Sequence, residues 1–271
     1  MHYDPYKDPR VIAIFNVTDI NQPTKIAGKA PWESNLWFSS IEIDGTEQEY
    51  ELSELDVNYQ FDTIGIHTIK YTLSDNTKIG EWSFYQCSDL IEVIIPYGVT
   101  SILGNCINDL SGLTSVTIPN SVTTLTGFNN CTGLTSITIP NSVTTLNGFE
   151  YCTDLTSITI PNSVTTLTGF RGCTDLTSVT ISNSVTTIGN NSFNGCTGLA
   201  SVTIPNSVTT IGDGVLSGCT NLTAITILCE TPPSIQSSAL TSNCPIYVPA
   251  NSVDLYKSTW TSFADRIQAI P

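Results

Sequence analysis

"LTSITIPNSVTTL" stands at residues 134–146 and again, letter for letter, at 155–167, and "LTSVTIPNSVTTL" precedes both at 113–125. None of these lines holds an acid, a base, a histidine or a cysteine. Aligned on the leucine that opens each line, the repeats start at Leu90, Leu113, Leu134, Leu155, Leu176, Leu199 and Leu222. The steps are 23, 21, 21, 21, 23 and 23 residues. A fixed period of this size predicts a solenoid, in which each coil packs only on its neighbours. "IKYTLSDNTKIGEWSFYQC" (69–87) fits one register earlier and reads as a first, atypical coil.

Within a coil the apolar positions recur. In 113–131 they are Leu113, Val116, Ile118, Val122, Leu125, Phe128 and Cys131. "SVTI" alternates, so it reads as a short strand with Val116 and Ile118 inward. Pro119 lacks the N–H a ladder needs and ends the strand. Asn120 and Ser121 suit a corner, where short polar side chains bond the local backbone. A second extended piece turns Val122 and Leu125 inward, and Phe128 and Cys131 close the coil. One such coil cannot bury its own apolar face. Stacked copies at about 4.8 Å per strand form a parallel sheet and a continuous core. The repeated line is therefore scaffold: each copy meets a copy of itself.

The line "LTSVTISNSVTTIGNNSFNGC" (176–196) resembles the BspA-like bacterial leucine-rich repeat, whose pattern runs L-x-x-I-x-I-P-x-x-V-x-x-I-G-x-x-A-F-x-x-C. The resemblance covers about residues 69–228. The tail "CPIYVPANSVDLYKSTWTSFADRIQAI" resembles the C-terminal cap of such proteins from gut and oral bacteria. In the quoted coil Ser182 replaces the usual Pro and Ser192 the usual Ala, and Leu216 replaces Phe in the last full coil. The resemblance implies a surface or secreted protein that adheres to host proteins and other cells; together with the residues below, the expectation is a non-catalytic protein whose partner is a host or bacterial surface protein, with glycan as a further candidate for its hydroxyl face. The rival expectation is a structural spacer in a surface or phage-like appendage.

Residues 1–66 do not repeat. "VIAIFNV" (11–17), "LWFSSIEI" (36–43), "EYEL" (49–52) and "VNYQF" (57–61) read as strands, with a turn at "DG" (44–45). The expected fold is thus mainly β. A small β-sandwich-like domain (1–66) leads into a leucine-rich-repeat solenoid with a parallel sheet (67–228), and a small C-terminal cap (229–271) ends it. In the cap "PIYVP" (245–249) reads as a strand and "NSVDLYKSTW" (251–260) as a short helix capped by Asn251 or Ser252.

Charge narrows the partners. The 271 residues carry a net charge of -15, with only 12% charged side chains. Phosphate binding needs clustered Lys and Arg, so the charge disfavours nucleic acid as a partner, and an anionic membrane surface for the same reason. No run of 18 apolar residues exists, so direct membrane insertion is not expected. The start "MHYDPYKDPR" has no apolar signal-peptide core, so the expectation is either export by another route or a signal peptide already cut away; the expected location is extracellular or at the cell surface. The acidic run "EIDGTEQEYELSELD" (42–56) lacks the spaced ligands of a calcium loop and reads as a solvated face.

Catalysis finds no material here. The two histidines, His2 and His67, lie outside the repeats after residue 90, and no phosphate loop or metal motif appears. No catalytic residue, cofactor or metal ligand is assigned. Cys87, Cys131, Cys152, Cys173, Cys196 and Cys219 share one repeat position, which Leu110 fills in the coil opened by Leu90. An apolar substitute identifies that column as buried packing. Cys229 and Cys244, which flank "ETPPSIQSSALTSN" in the cap, are the one pair considered for a bridge.

Binding is sought on the surface. The outward strand positions form two rows, Ser115, Ser136, Ser157, Ser178 and Ser201 beside Thr117, Thr138, Thr159, Thr180, Thr203 and Thr226. This hydroxyl face is one candidate, with Ser136, Ser157, Thr117, Thr138, Thr159 and Thr180 on its middle stretch. The other is Glu150, Tyr151 and Arg171, one coil apart, because recognition favours aromatic and Arg side chains. The 21-residue coils leave only "TG" between Leu125 and Phe128 where the 23-residue coil has "GNNS", and so expose that patch more.

Overall fold

A computed structural model describes residues 8–28, 37–49, 56–236, 238–240 and 243–271. The chain is mostly β and forms a parallel β-solenoid, packed as two compact units, Met1–Val143 and Thr144–Pro271.

In the first unit the coil strand Leu90–Ile94 pairs in parallel with Ser115–Thr117. A second ladder joins Lys78–Ile79, Ser101–Ile102 and Thr124–Leu125, also parallel. The N-terminal strands extend the first of these sheets. Val11–Val17 runs antiparallel to Leu90–Ile94 on one side and to Gly65–Leu73 on the other. Phe38–Ile43 and Thr46–Gln48 follow, giving one six-stranded sheet. The hairpin between the last two turns on Asp44 and Gly45, with φ of 48° and 84°, the positive pair that a two-residue hairpin turn needs. Thr24–Gly28 and Asp56–Tyr59 make a separate antiparallel pair. The buried Tyr71 phenol donates to the Ile26 carbonyl at 2.7 Å and ties that pair to the main sheet.

Two details differ from the sequence expectation. Thr24–Gly28 is a strand that "TKIAG" does not announce, because it lacks polar–apolar alternation. The boundary placed at 66/67 falls inside strand Gly65–Leu73. The expected strand at 49–52 lies mostly outside the described residues. His67 is buried, its ring nitrogens 2.7 Å from Asp44 Oδ2 and 2.9 Å from the Thr63 carbonyl.

In the second unit Ser157–Thr159 pairs with Ser178–Thr180. Ser201–Ile204, Ala224–Ile227, Ile246–Val248 and Ile267–Ala269 form a parallel four-stranded sheet. Thr166–Leu167, Thr187–Ile188, Thr210–Ile211 and Ser234–Ile235 form the companion ladder. Residues past 228 thus supply strands to both sheets. The chain then turns through a 3-10 segment, Ala250–Ser252, into the helix Val253–Thr259. Ser252 occupies the N-cap but makes no side-chain cap bond. Its φ and ψ of -107° and -5° are not the extended values from which a capping oxygen reaches the helix N–H groups. Tyr256 and Trp260 seal the end instead, donating to the Cys229 and Pro233 carbonyls at 2.9 and 3.0 Å.

The core is a set of columns. Leu155, Val164, Leu167, Phe170 and Cys173 are 0% exposed, as are Leu176, Val185, Ile188, Phe193 and Cys196 one coil on. Phe149, Phe170 and Phe193 stack with centroids 5.4 and 6.0 Å apart. Val116 is only half-buried. "SITI" at 136–139, expected as a strand, forms none. A three-residue strand holds few ladder bonds, and here the buried Leu134, Ile139 and Val143 hold the coil instead.

All nine cysteines are free thiols and all are buried, Cys229 and Cys244 included. Their S–H groups serve the stacking. Cys131 donates to the Ile107 carbonyl at 2.8 Å; Cys173, Cys196 and Cys219 donate to those of Phe149, Phe170 and Phe193, each at 3.1 Å. Cys106, off the cysteine column, takes the buried place that Ser83 and Ser192 hold in their coils. Burial pushes the Cys87 and Cys196 thiols up to about 12 and Cys219 to about 11.

Two outcomes follow from this packing. Ile158, 3% exposed, leaves a cavity when cut back, so Ile158→Ala is expected to cost about 2–5 kcal/mol in chemical denaturation. Thr159→Ala on the same strand points to solvent and should cost under about 0.5 kcal/mol. Equal shifts for both would reverse the strand phase. The thiols favour their neutral form in the fold, so the unfolded chain releases protons first as pH rises. Their contribution is complete below the free-thiol value of about 9 and disappears between there and the folded values near 11–12. The thermal midpoint should therefore fall between pH 9 and 11, and a thiol reagent at pH 8 should label these cysteines only after denaturation.

Candidate functional site

Many Ser and Thr side chains in the coils are engaged. In the second unit Thr177, Thr186, Thr209 and Thr223 donate their hydroxyls to the carbonyls of Thr156, Thr165, Thr186 and Ala200, one coil back, at 2.9–3.3 Å. Ser182 and Ser207 do the same to Pro161 and Val185. In the first unit Thr100, Thr114, Thr123, Ser121 and Ser142 follow the same rule. These columns are structural, and the sequence reading did not separate them from the rest.

The outward strand rows stand apart. Ser157, Thr159, Ser178 and Thr180 are exposed and paired in register, Ser157 with Ser178 and Thr159 with Thr180. Their hydroxyls bond nothing in the described chain, unlike those of the neighbouring Thr177 and Thr186. The face thus presents donors and acceptors already placed and unspent. In the first unit Thr117 is half-buried, in ladder with Ile94. Ser136 and Thr138 are exposed but lie on the stretch that forms no strand. The structure therefore brings Ser157, Thr159 and Thr180 together on one ladder and leaves Ser136 and Thr138 off it.

The second candidate is a built contact. Tyr151 is 40% exposed, and the Arg171 guanidinium sits over its ring, 5.8 Å from the centroid. The Tyr151 N–H donates to the Arg171 carbonyl at 2.7 Å. Arg171 is the one base between residues 91 and 228, so it brings a positive charge to an acidic chain. Glu150, half-buried, precedes the tyrosine.

The backbone explains where the ring stands. In every coil the residue before the column cysteine, or before Leu110, has positive φ. In the first unit these are Gln86, Asp109 and Asn130, and in the second Tyr151, Gly172, Gly195 and Gly218, between 58° and 76°. Glycine adopts this conformation freely, whereas a residue with a Cβ meets the neighbouring carbonyl. Tyr151, at φ 60°, is the bulky exception. Its ring lies against Gly172, where an added Cβ would come within 2.4 Å of the ring. Gly172 is thus a positioning residue that sequence reasoning missed; its signal was a glycine just before a column cysteine.

Among the described residues no three His, Cys, Asp or Glu side chains gather to hold a metal ion, and no helix is long and apolar enough to cross a membrane.

Residues 57–169 and 147–249 match the family model of the BspA type leucine rich repeat region, in six copies. Among solved structures the chain is similar to a leucine rich cell surface protein of Faecalibacterium prausnitzii, 34% identical with a TM-score of 0.53. That match covers 62% of this chain and 46% of the other, so the chain spans about half of that protein's length. It is also similar to a leucine-rich repeat protein of Bacteroides ovatus, 24% identical over 66% of this chain and 60% of that one, with a TM-score of 0.41. No curated protein sequence matches the chain.

Gly172→Ala is expected to destabilise by about 2 kcal/mol or more, combining left-handed strain with the collision against Tyr151. In a Tyr151→Gly background the collision is gone, and the same change should cost only the strain, about 1 kcal/mol. Additive effects in this double-mutant cycle would mean the ring does not lie on Gly172.

Proposed function

The chain belongs to the BspA-type leucine-rich repeat family, and from that premise we propose that it is a non-catalytic binding protein of the bacterial cell surface or its surroundings. Its partner is a host or bacterial surface protein. The scaffold holds the two candidate features in the second unit, the hydroxyl ladder of Ser157, Thr159, Ser178 and Thr180 and the Tyr151–Arg171 pair. One observation carries the reading: the outward hydroxyls of that ladder are unbonded while neighbouring columns spend theirs on the preceding coil. A scaffold serving only to set distance has no use for a row of free, register-matched donors and acceptors. The family match and the cell-surface description of the Faecalibacterium protein support the location.

Tyr151 and Arg171 contribute the kind of side chains that concentrate binding energy, a rigid ring and a planar cation. A partner contacting both would bury an aromatic face with a charge above it.

The test is capture of immobilised matrix and bacterial surface proteins by the whole chain and its variants. Thr159→Arg places a bulky charge on the ladder without touching the core and should abolish capture of any partner held there. Tyr151→Ala and Arg171→Ala should each weaken capture by roughly tenfold or more, the loss of one central contact of about 1.4 kcal/mol or above. If every captured protein binds all three variants as well as the unaltered chain, the reading is wrong.

A further inference from the structure

The parallel sheet at the C-terminal end of the second unit carries a row with no counterpart elsewhere. Register pairs Thr203 with Thr226, Thr226 with Tyr247, and Tyr247 with Gln268. Each stands at an outward position, because its strand neighbours Val202, Ile225, Ile246 and Ile267 are buried. The threonine row thus continues past the repeats and ends in a phenol and an amide. Ala224 takes the place that Ser201 holds on the strand before it, so the row beside Tyr247 loses a polar side chain; Thr203 and Gln268 are exposed, Thr226 and Tyr247 half-buried.

Three properties define what such a row would bind. First, it holds no charge: two hydroxyls, a phenol and an amide. A polyanion gains nothing from it on a chain of net charge -15, and a polycation finds no carboxylate in it. Second, none of the four polar groups has a hydrogen-bond partner in the described chain, and the Tyr247 ring has neither an aromatic nor a cationic neighbour there. The buried Tyr256 and Trp260 of the same cap are, by contrast, fully engaged. Third, the row is periodic, with one group per strand at about 4.8 Å. That spacing is close to the length of one sugar residue in an extended chain. Neutral sugars carry hydroxyls that both donate and accept, and a C–H face that packs on an aromatic ring.

We infer that Thr203, Thr226, Tyr247 and Gln268 form a subsite for an extended neutral polysaccharide laid across the strands, with one sugar face on the Tyr247 ring and its hydroxyls on Thr226 and Gln268. The inference rests on the binding role proposed above and adds the chemical class of one ligand and the residues that take it. A peptide strand would instead seek a sheet edge, where backbone groups are free, and not this face.

The experiment is isothermal titration of the whole chain with cellohexaose, laminarihexaose and maltohexaose, with polygalacturonate as the acidic comparison. At least one neutral hexasaccharide should bind, and better than polygalacturonate. Tyr247→Ala should weaken that binding about tenfold, while Tyr247→Phe, which keeps the ring, should stay within about threefold. Gln268→Ala, on the exposed outermost strand, is the second probe and should weaken binding without moving the thermal midpoint. Absence of binding by all three neutral sugars overturns the inference. So does binding that Tyr247→Ala and Gln268→Ala leave unchanged, or a preference for polygalacturonate. A chain that captures a surface protein through Thr159 yet binds none of the sugars keeps the proposed function and loses this subsite.

Discussion

Everything in this molecule depends on one coil finding, one period earlier, a carbonyl and an apolar side chain in the place its own residues expect. The apolar half is ordinary hydrophobic stacking, Leu on Leu and Phe on Phe. The polar half is less familiar. Each coil leaves main-chain carbonyls facing the next, and threonine, serine and cysteine side chains donate to them. Thr177 to Thr156, Ser207 to Val185 and Cys196 to Phe170 are three columns built on that rule. A buried carbonyl without a partner costs on the order of 1–3 kcal/mol. Ser207 supplies such a partner to the Val185 carbonyl, whereas Thr177, Thr186, Thr209 and Thr223 add a second, exposed bond to carbonyls that their own backbone N–H already reaches.

This division of labour gives the free hydroxyls their meaning. Ser157 and Thr159 are the same residue types as Ser182 and Thr177, yet they bond nothing in the described chain. What differs is direction. Alternation along the strand turns Ile158 into the core and its neighbours out, whereas Thr177 follows a leucine at the corner and lies over the preceding coil. Tyr151 departs from the scaffold in another way. Its left-handed backbone is imposed by the coil, and its three counterparts in the second unit's column, Gly172, Gly195 and Gly218, are all glycine. A tyrosine there is held against its conformational preference, with its ring supported by Gly172 and covered by Arg171.

The columns of Leu, Val, Ile, Phe and Cys were legible because a repeated environment leaves a repeated residue, and Leu110 in the cysteine column showed that the thiols pack as apolar groups. The carbonyl partners of Thr177 or Cys173 were not legible, since a donor one period away leaves no trace in the spacing. At the N-terminus the strand Val11–Val17 was plain from its composition, but its pairing with Leu90–Ile94, nearly eighty residues on, was not. Pairing across such a distance is decided by which edge is open, not by local pattern. Of the candidate site, the exposure of Thr159 and the nearness of Tyr151 to Arg171 could be read from the period. The failure of Ser136 and Thr138 to join a strand could not, because their letters are those of Ser157 and Thr159. Tyr247 and Gln268 escaped notice because the cap abandons the repeat while its strands still follow the sheet.

The two 23-residue coils that begin at Leu176 and Leu199 occupy nearly interchangeable surroundings. Val185 and Val208, Ile188 and Ile211, and Cys196 and Cys219 are buried alike, and Ile188 pairs directly with Ile211. Length in such a molecule is a quantity that can change by whole turns, through duplication or loss of a stretch of gene, without remaking a core. A globular domain has no such freedom, because every insertion disturbs contacts found nowhere else. The near-identical lines at 113, 134 and 155 have the form such copying leaves, and they make reach, more than shape, the property that selection can adjust most readily.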